Sequence, residues 1–360
     1  MSYTLKELLF FKKKYLLVEG LVILMIFMVM FLSGLTNGLR RFVSAGIENM
    51  PATHFILTEE AEGIIPFSHL SADQITAIKD KSFDDTEELA IQRSQVTTDS
   101  DEKVDVTYFV LEDGSEFAPE IIEGKALAKE NEIVLDQRFQ ADDVKIGDVV
   151  LDKNGKTKLT VVGFTKGAMY GHTGIGYISQ KTYDNLITVD NPKFAWAPQA
   201  FVTSDEAAAD LDLDKVDVWS KEELIEKIPG YAAEQGTLSM ITWVLVVASA
   251  AILAVFFYII SLDKRQQFGV LKALGMGMGN LAGQQLFQVF ILALVGVLVG
   301  DALTLGLASV LPVKMPFYLN VLDMGILSVT FIAVTVVASL LSVSRIAKID
   351  PIDIINGGEA

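Results

Sequence analysis

The chain contains no cysteine. A cysteine nucleophile is therefore excluded, and the absence suits an exposed domain kept free of stray disulfides. Histidine is scarce as well: only His54, His69 and His172 occur, far apart along the chain. Neither G-x-S-x-G nor H-E-x-x-H is present, so the familiar hydrolase and metalloprotease constellations have no carrier. Gly275-Met-Gly-Met-Gly279 is glycine-rich, but it follows a helical pattern and is not G-x-x-x-x-G-K-[ST]. It reads as a flexible turn. With no nucleotide-binding motif, any ATP must be hydrolysed by a separate partner chain. The chain itself is expected to be no enzyme and to carry no intrinsic cofactor. Basic residues are outnumbered, 29 Lys and Arg against 46 Asp and Glu, for a net charge of −17. That balance argues against nucleic acid, which needs a basic surface.

What the chain has in abundance is apolar length. Hydrophobic residues make up 51% of the 360 and mean hydropathy is +0.40, above an ordinary soluble domain. Crossing a hydrocarbon core takes about 20 apolar residues. Four stretches supply them: Gly20–Leu39, Ile241–Leu262, Leu286–Val313 and Met324–Val343. Lys and Arg in short flanks mark the cytoplasmic side. They stand at Lys6 and Lys12–Lys14 before the first stretch, at Lys264, Arg265 and Lys272 between the second and third, and at Arg345 and Lys348 after the fourth. Both termini are then cytoplasmic, in a multi-pass protein of the plasma membrane. The first apolar run is too long for a signal-peptide core and no small-x-small site follows it, so it reads as a retained helix.

The expected divisions are a cytoplasmic N-terminus with the first helix (1–40), an extracytoplasmic domain (41–238), the second helix (239–262), a cytoplasmic segment (263–281), the third helix (282–313), the fourth (324–343) and a cytoplasmic tail (344–360). Residues 41–238 hold 38 Asp and Glu against 18 Lys and Arg, so the acidic balance of the chain lies in the outer domain. Ser71-Ala-Asp-Gln74 and Ser220-Lys-Glu-Glu223 are capping boxes that open short helices, the second ended by Pro229-Gly230. Val104–Leu111, Asn131–Leu135, Asp148–Leu151 and Lys158–Phe164 read as strands, with Asn154-Gly155 as a hairpin turn. The fold class is thus a membrane protein with four transmembrane α-helices and a large α+β domain between the first and second.

Within Asp263–Asn280, Phe268, Leu271 and Leu274 recur at helical spacing while Lys264, Arg265, Gln266 and Lys272 fall on other faces. Such an amphipathic helix either lies on lipid or seats a partner. Here a resemblance adds information. The order of parts resembles the FtsX-like, MacB-type ABC permeases, the type VII architecture of one helix, a large outer domain and three helices. Arg265-Gln-Gln-Phe-Gly-Val-Leu-Lys-Ala-Leu-Gly275 resembles that superfamily's stretch after the second helix, and Arg345-Ile-Ala-Lys-Ile-Asp-Pro-Ile-Asp353 its C-terminus. The resemblance implies a homodimer served by a separate homodimeric ATPase. It also implies a coupling helix in which Arg265, Phe268, Leu271, Lys272 and Leu274 meet that ATPase.

Four shorter stretches resemble the HrtB-type haem-exporter permeases: Met28–Leu35, Ala168-Met-Tyr-Gly-His172, Tyr231-Ala-Ala-Glu-Gln235 and Met315-Pro-Phe-Tyr-Leu319. This implies haem as transported substrate, taken from the bilayer at a site between two protomers. The same architecture also serves exporters of peptides, antibiotics or lipids, and FtsX-like mechanotransmitters that regulate a cell-wall hydrolase. Tyr231 and Glu234, three residues apart on one helix face, are candidate donors to the haem iron, since oxygen ligands suit the ferric state. Equally, Tyr231 reads as an aromatic-belt anchor and Glu234 as a helix N-terminal charge. Tyr170 and His172 share a glycine-flanked loop that is either a wall of the haem site or a plain surface turn. Met28 is a pocket residue: at 1.5 Å per residue it sits about 10 Å below the outer boundary, too deep to share an iron with Glu234. Glu19 is expected to snorkel toward Lys12–Lys14. Asp301, deep in the third helix, must find a partner, a cavity or a proton.

Overall fold

The computed structural model describes residues 10–81, 83–99 and 101–346. Lys6 and the tail from 347 on, including Lys348, lie outside the described residues. The α-helices are α1 Lys12–Glu48, α2 Ala72–Asp80, α3 Gln180–Thr188, α4 Lys221–Lys227, α5 Tyr231–Asp263, α6 Arg265–Ala273, α7 Met278–Ala308 and α8 Val321–Ile346. Helices α1, α5, α7 and α8 are long and apolar enough to cross a membrane. Two compact units result: a helical one from the described parts of residues 1–37, 237–311 and 317–360, and an α+β one from residues 38–236 and 312–316. Helix α1 contributes to both.

The helical unit is held by interdigitated apolar side chains. Val22, Ile26 and Met30 of α1 meet Leu253 and Phe257 of α5, Val289 and Val297 of α7, and Phe331 of α8. Two glycines one turn apart let α7 come close to α1. A Cβ on Gly296 would stand 2.5 Å from Val22 Cγ1, and one on Gly300 would stand 2.3 Å from Ile26 Cγ2. In lipid, where apolar burial gives helices little reason to associate, this close approach supplies the van der Waals contact that does. Large apolar side chains such as Met240, Trp243, Val244 and Val247 remain on the surface of α5, as a helix facing lipid requires.

Polar groups inside this unit are few. At the end of α5, Lys264 donates to Gln288 Oε1 at 2.6 Å and Gln285 Oε1 at 3.3 Å, and lies over the Tyr15 ring. Asp301 has a partner across helices, for the Ser328 hydroxyl of α8 donates to its Oδ2 at 2.9 Å. Glu19 departs from expectation. Its two carboxylate oxygens are buried without a hydrogen-bond partner, and Oε1 lies toward the Gly296 notch of α7. The side chain has turned into the helix contact that the glycine leaves open, and among the described residues it pairs with neither Lys12 nor Lys13; the Lys14 side chain lies outside them.

The α+β unit is built on one sheet. Its strands are β1 His54–Thr58, β2 Glu87–Thr97, β3 Lys103–Leu111, β4 Ile121–Gly124, β5 Glu132–Asp136, β6 Val149–Asp152, β7 Lys158–Thr165, β8 Met169–Tyr170, β9 Thr173–Ser179, β10 Ala200–Thr203 and β11 Val216–Ser220. They run in the order β11-β1-β10-β2-β3-β9-β5-β7-β4, with β8 on β9. Strand β6 pairs with both β2 and β7, so β2-β3-β9-β5-β7-β6 closes on itself. Val106, Tyr108, Leu135, Val150, Phe164 and Ile178 fill that ring. A second core, with Phe55, Ile91, Phe109 and Ile175, takes in the C-terminal end of α1 through Val43 and Ile47.

Both expected capping boxes form, at Ser71 with Gln74 and at Ser220 with Glu223. The Asn154-Gly155 turn joins β6 to β7, with Gly155 at φ 69° and Asn154 Oδ1 accepting the amides of Lys156 and Thr157. The sequence reading missed β1, β2, β4, β8, β9, β10 and β11. In β1 all five residues are buried, so no polar alternation marks it.

The glycine contact generates a test. Gly300→Leu forces a side chain into Ile26 and should cost about 1–3 kcal/mol through overpacking. Gly306→Leu, where nothing lies within 4 Å, should be neutral. Yield and thermal unfolding of the detergent-purified chain check both; equal effects would remove the α1–α7 contact from its central place.

Candidate functional site

Three of the residues singled out in the sequence meet where α5 begins. Glu234 lies in the first turn of α5, where a carboxylate complements the helix dipole. Its Oε1 is 2.9 Å from His172 Nε2, a partner 62 residues away. Tyr231, one turn back, is partly buried against the core of the α+β unit. The Arg40 guanidinium of α1 reaches the Tyr231 hydroxyl. Arg40 and Arg41 also both pair with Glu48, at 4.0 and 3.0 Å, and Arg41 donates to Asn49 at 2.8 Å. The sequence reading passed over these arginines and Glu48, although Arg40-Arg41 at the end of an uncharged run was a visible signal.

His172 is held by its backbone. Strands β8 and β9 form a hairpin whose two turn residues, Gly171 and His172, both have positive φ, 53° and 67°. A two-residue turn of that hand favours glycine or asparagine, and histidine there is uncommon. The turn is tied to α1: the Gly171 amide donates to the Val43 carbonyl and the His172 amide to the Phe42 carbonyl, both at 3.0 Å. A side chain in a costly backbone position, aimed at Glu234, points to a use for the imidazole.

Tyr170 does not join this cluster. It is buried in the core, edge-on to Phe109 at 5.6 Å, and burial pushes its phenol above the ordinary range. It braces the hairpin from behind. Met28 lies in the helical unit on α1, 44% exposed.

A short 3-10 turn, Gln137–Asp142, supports the hairpin from its other side. The buried Asp136 carboxylate accepts the Arg138 amide at 3.0 Å and the Ala168 amide at 2.7 Å. Burial raises the Asp136 carboxyl above its usual range against the pull of those amides, and burial lowers the Arg138 guanidinium. The guanidinium donates to the Lys314 carbonyl at 2.6 Å and to Met169 Sδ at 3.3 Å. It also stacks on the Phe42 ring, 3.9 Å from its centre. Lys314 Nζ pairs with Asp142 at the far end of the same turn.

The amphipathic segment divides differently from expectation. Phe268 and Leu271 are half-buried and line a shallow cleft with Lys264, Gln284, Gln285 and Gln288. The apolar side chains left outward on α6 and its end are Val270 and Leu274, 56% and 79% exposed. The expected single stripe is split because the start of α7 covers its Phe268 side. Lys272 is half-buried, and the Arg265 side chain lies outside the described residues.

Chemically, the α5 entry gathers a phenol, a carboxylate and an imidazole beside two guanidinium groups. Such oxygen and nitrogen donors suit a hard cation, and guanidinium groups suit the carboxylates of a ligand.

A family described as FtsX-like permease C-terminal matches residues 239–351. The whole chain is similar to a protein named "Putative hemin transport system permease protein HrtB" from Staphylococcus haemolyticus strain JCSC1435, 28% identical over 359 residues and covering 100% of both. A protein of the same name from Staphylococcus epidermidis strain ATCC 35984 is 26% identical over 363 residues, again covering 100% of both. Among solved structures, the periplasmic region of MacB from Actinobacillus actinomycetemcomitans matches with a TM-score of 0.36 and 12% identity, covering 51% of this chain and 96% of that one.

The hairpin geometry carries its own test. His172→Asn, at ease with positive φ, should leave the melting temperature of the full chain unchanged or raise it slightly, a gain under about 1 kcal/mol. His172→Val should cost about 1–3 kcal/mol. The pair with Glu234 is exposed and worth little by itself. Equal losses in both variants would show that the imidazole contact, and not the turn, sets the stability here.

Proposed function

For a chain whose residues 239–351 match the FtsX-like permease C-terminal family, and which has four helices long and apolar enough to span a membrane, we propose the role of permease subunit of an ABC exporter whose cargo is haem. The observation that carries the cargo is the convergence of Tyr231, Glu234 and His172 at the start of α5, with Arg40 beside them. Haem presents a ferric centre that takes hard donors and two carboxylates that suit guanidinium groups. The full-length likeness to two proteins named as hemin transport permeases supports the same cargo. Tyr231 or Glu234 is the iron donor in this reading, His172 sets the Glu234 carboxylate, and Met28 belongs to the membrane wall of the path.

The working unit is a homodimer in the plasma membrane with both termini cytoplasmic and the α+β domain outside. A homodimeric ATPase docks on α6 and supplies the energy. ATP binding draws the two α6 segments together, and α1 and α5, each continuous through the membrane, carry the movement to the α5 entry. Val270 and Leu274 are the apolar contacts for docking because they are outward on that segment, with Arg265 and Lys272 as its cationic side.

Two measurements test this reading. Permease purified from haem-fed cells should show a Soret band; Tyr231→Phe keeps the ring and its packing but removes an oxygen donor, and Glu234→Gln keeps shape while removing charge. Each should shift or weaken the band and lower haem tolerance of the cell. Unchanged spectra and export in both variants would remove this face from the site, and loss-of-function cells that chain or lyse without haem sensitivity would favour a mechanotransmitter. The isolated permease should hydrolyse no ATP, and Leu274→Asp with Lys272→Glu should abolish co-purification of the ATPase. Retained co-purification would place the docking surface elsewhere.

A further inference from the structure

The loop between α7 and α8 contains Pro312–Pro316, which belong to the α+β unit. Arg138 binds the loop there by the loop's backbone, and the same guanidinium touches both sides of the His172 turn. One edge reaches Met169 on β8, three residues before His172. Its face rests on Phe42, whose carbonyl accepts the His172 amide. Asp136 fixes the arrangement from beneath, since its one carboxylate accepts the amides of Arg138 and of Ala168, the residue that leads into β8. We propose that Arg138 is a positioning residue that couples the loop between α7 and α8 to the His172 turn, and so sets the place of the imidazole against Glu234. This rests on the reading of His172 and Glu234 as part of the cargo site.

Two features separate this role from general packing. First, the three contacts need three different properties of one planar group: one N–H for a carbonyl, a second N–H held at a fixed angle to it for a thioether, and a π face for a ring. Lysine has the charge but neither the fixed angle nor the face. Second, the object held is unstable by itself. Gly171 and His172 both sit at positive φ, and their amides depend on the carbonyls of Val43 and Phe42 for register. A change in the 312–316 loop that pulls on the Lys314 carbonyl thus reaches Phe42 and Met169 through one rigid side chain. The Lys314–Asp142 ion pair is partly exposed and secondary, because exposed pairs contribute little.

The full chain with its ATPase can be examined with a reagent that acylates imidazole, diethyl pyrocarbonate, read by mass spectrometry. The chain offers three histidines, and exposed His69 serves as the internal control. Arg138→Lys should raise the modification rate of His172 several-fold while His69 stays at the wild-type rate; Phe42→Leu should do the same. Lys314→Ala, which keeps the backbone carbonyl, should leave His172 unchanged. Haemin added to the Arg138→Lys complex should give a shifted Soret band, with ATPase activity in its absence unaltered. An unchanged His172 rate in Arg138→Lys and in Phe42→Leu would overturn the proposal, as would a parallel rise at His69, which reports loosening of the whole unit. If the wild type itself gives no Soret band, the cargo reading falls while the acylation rates still decide the role of Arg138.

Discussion

Two backbone hydrogen bonds hold the part of the molecule on which the rest depends: the amides of Gly171 and His172 donate to the carbonyls of Val43 and Phe42. They fasten a two-residue hairpin turn, with both residues at positive φ, to a helix that is continuous from Lys12 to Glu48. Because α1 is one of the four candidate membrane spans, its covalent continuity ties the candidate donors to the membrane part of the chain. The closed ring of β2, β3, β9, β5, β7 and β6 gives the hairpin a rigid base, and Val43 and Ile47 anchor the helix end in a second apolar core.

The two units solve different physical problems. The α+β unit has a hydrophobic drive to fold and uses it in two filled cores. The helical unit gains little from apolar burial in lipid and depends on close contact, which Gly296 and Gly300 permit by presenting no side chain to Val22 and Ile26. Its interior polar groups are correspondingly few and specific. Lys264 donates to two glutamines and Asp301 Oδ2 accepts from Ser328, while Glu19 Oε1 lies beside Gly296.

Much of this was legible in order. The four spans follow from long apolar runs, since each reaches the length a bilayer needs. The helix starts at Ser71 and Ser220 were readable because a capping box is a local bargain between a hydroxyl and a carboxamide or carboxylate three residues on. The likeness to FtsX-like permeases was carried by Arg265–Gly275, a contiguous stretch, and the family match over residues 239–351 includes it. Strands β1 and β10 were not readable, because every residue in them is buried and no alternation survives.

The sequence by itself determined the class of protein, because hydropathy, capping and short motifs are properties of neighbours along the chain. Only the tertiary structure decided which candidates stand together. His172 meets Glu234 across 62 residues, Tyr170 turns into the core two residues from His172, and Phe268 parts from Leu274 because α7 covers one and not the other. Arg138 carried no signal at all, since its partners Phe42, Met169 and Lys314 come from three distant segments. Side-chain direction and long-range pairing arise from how the sheet closes and how the helices abut, and no local pattern encodes either.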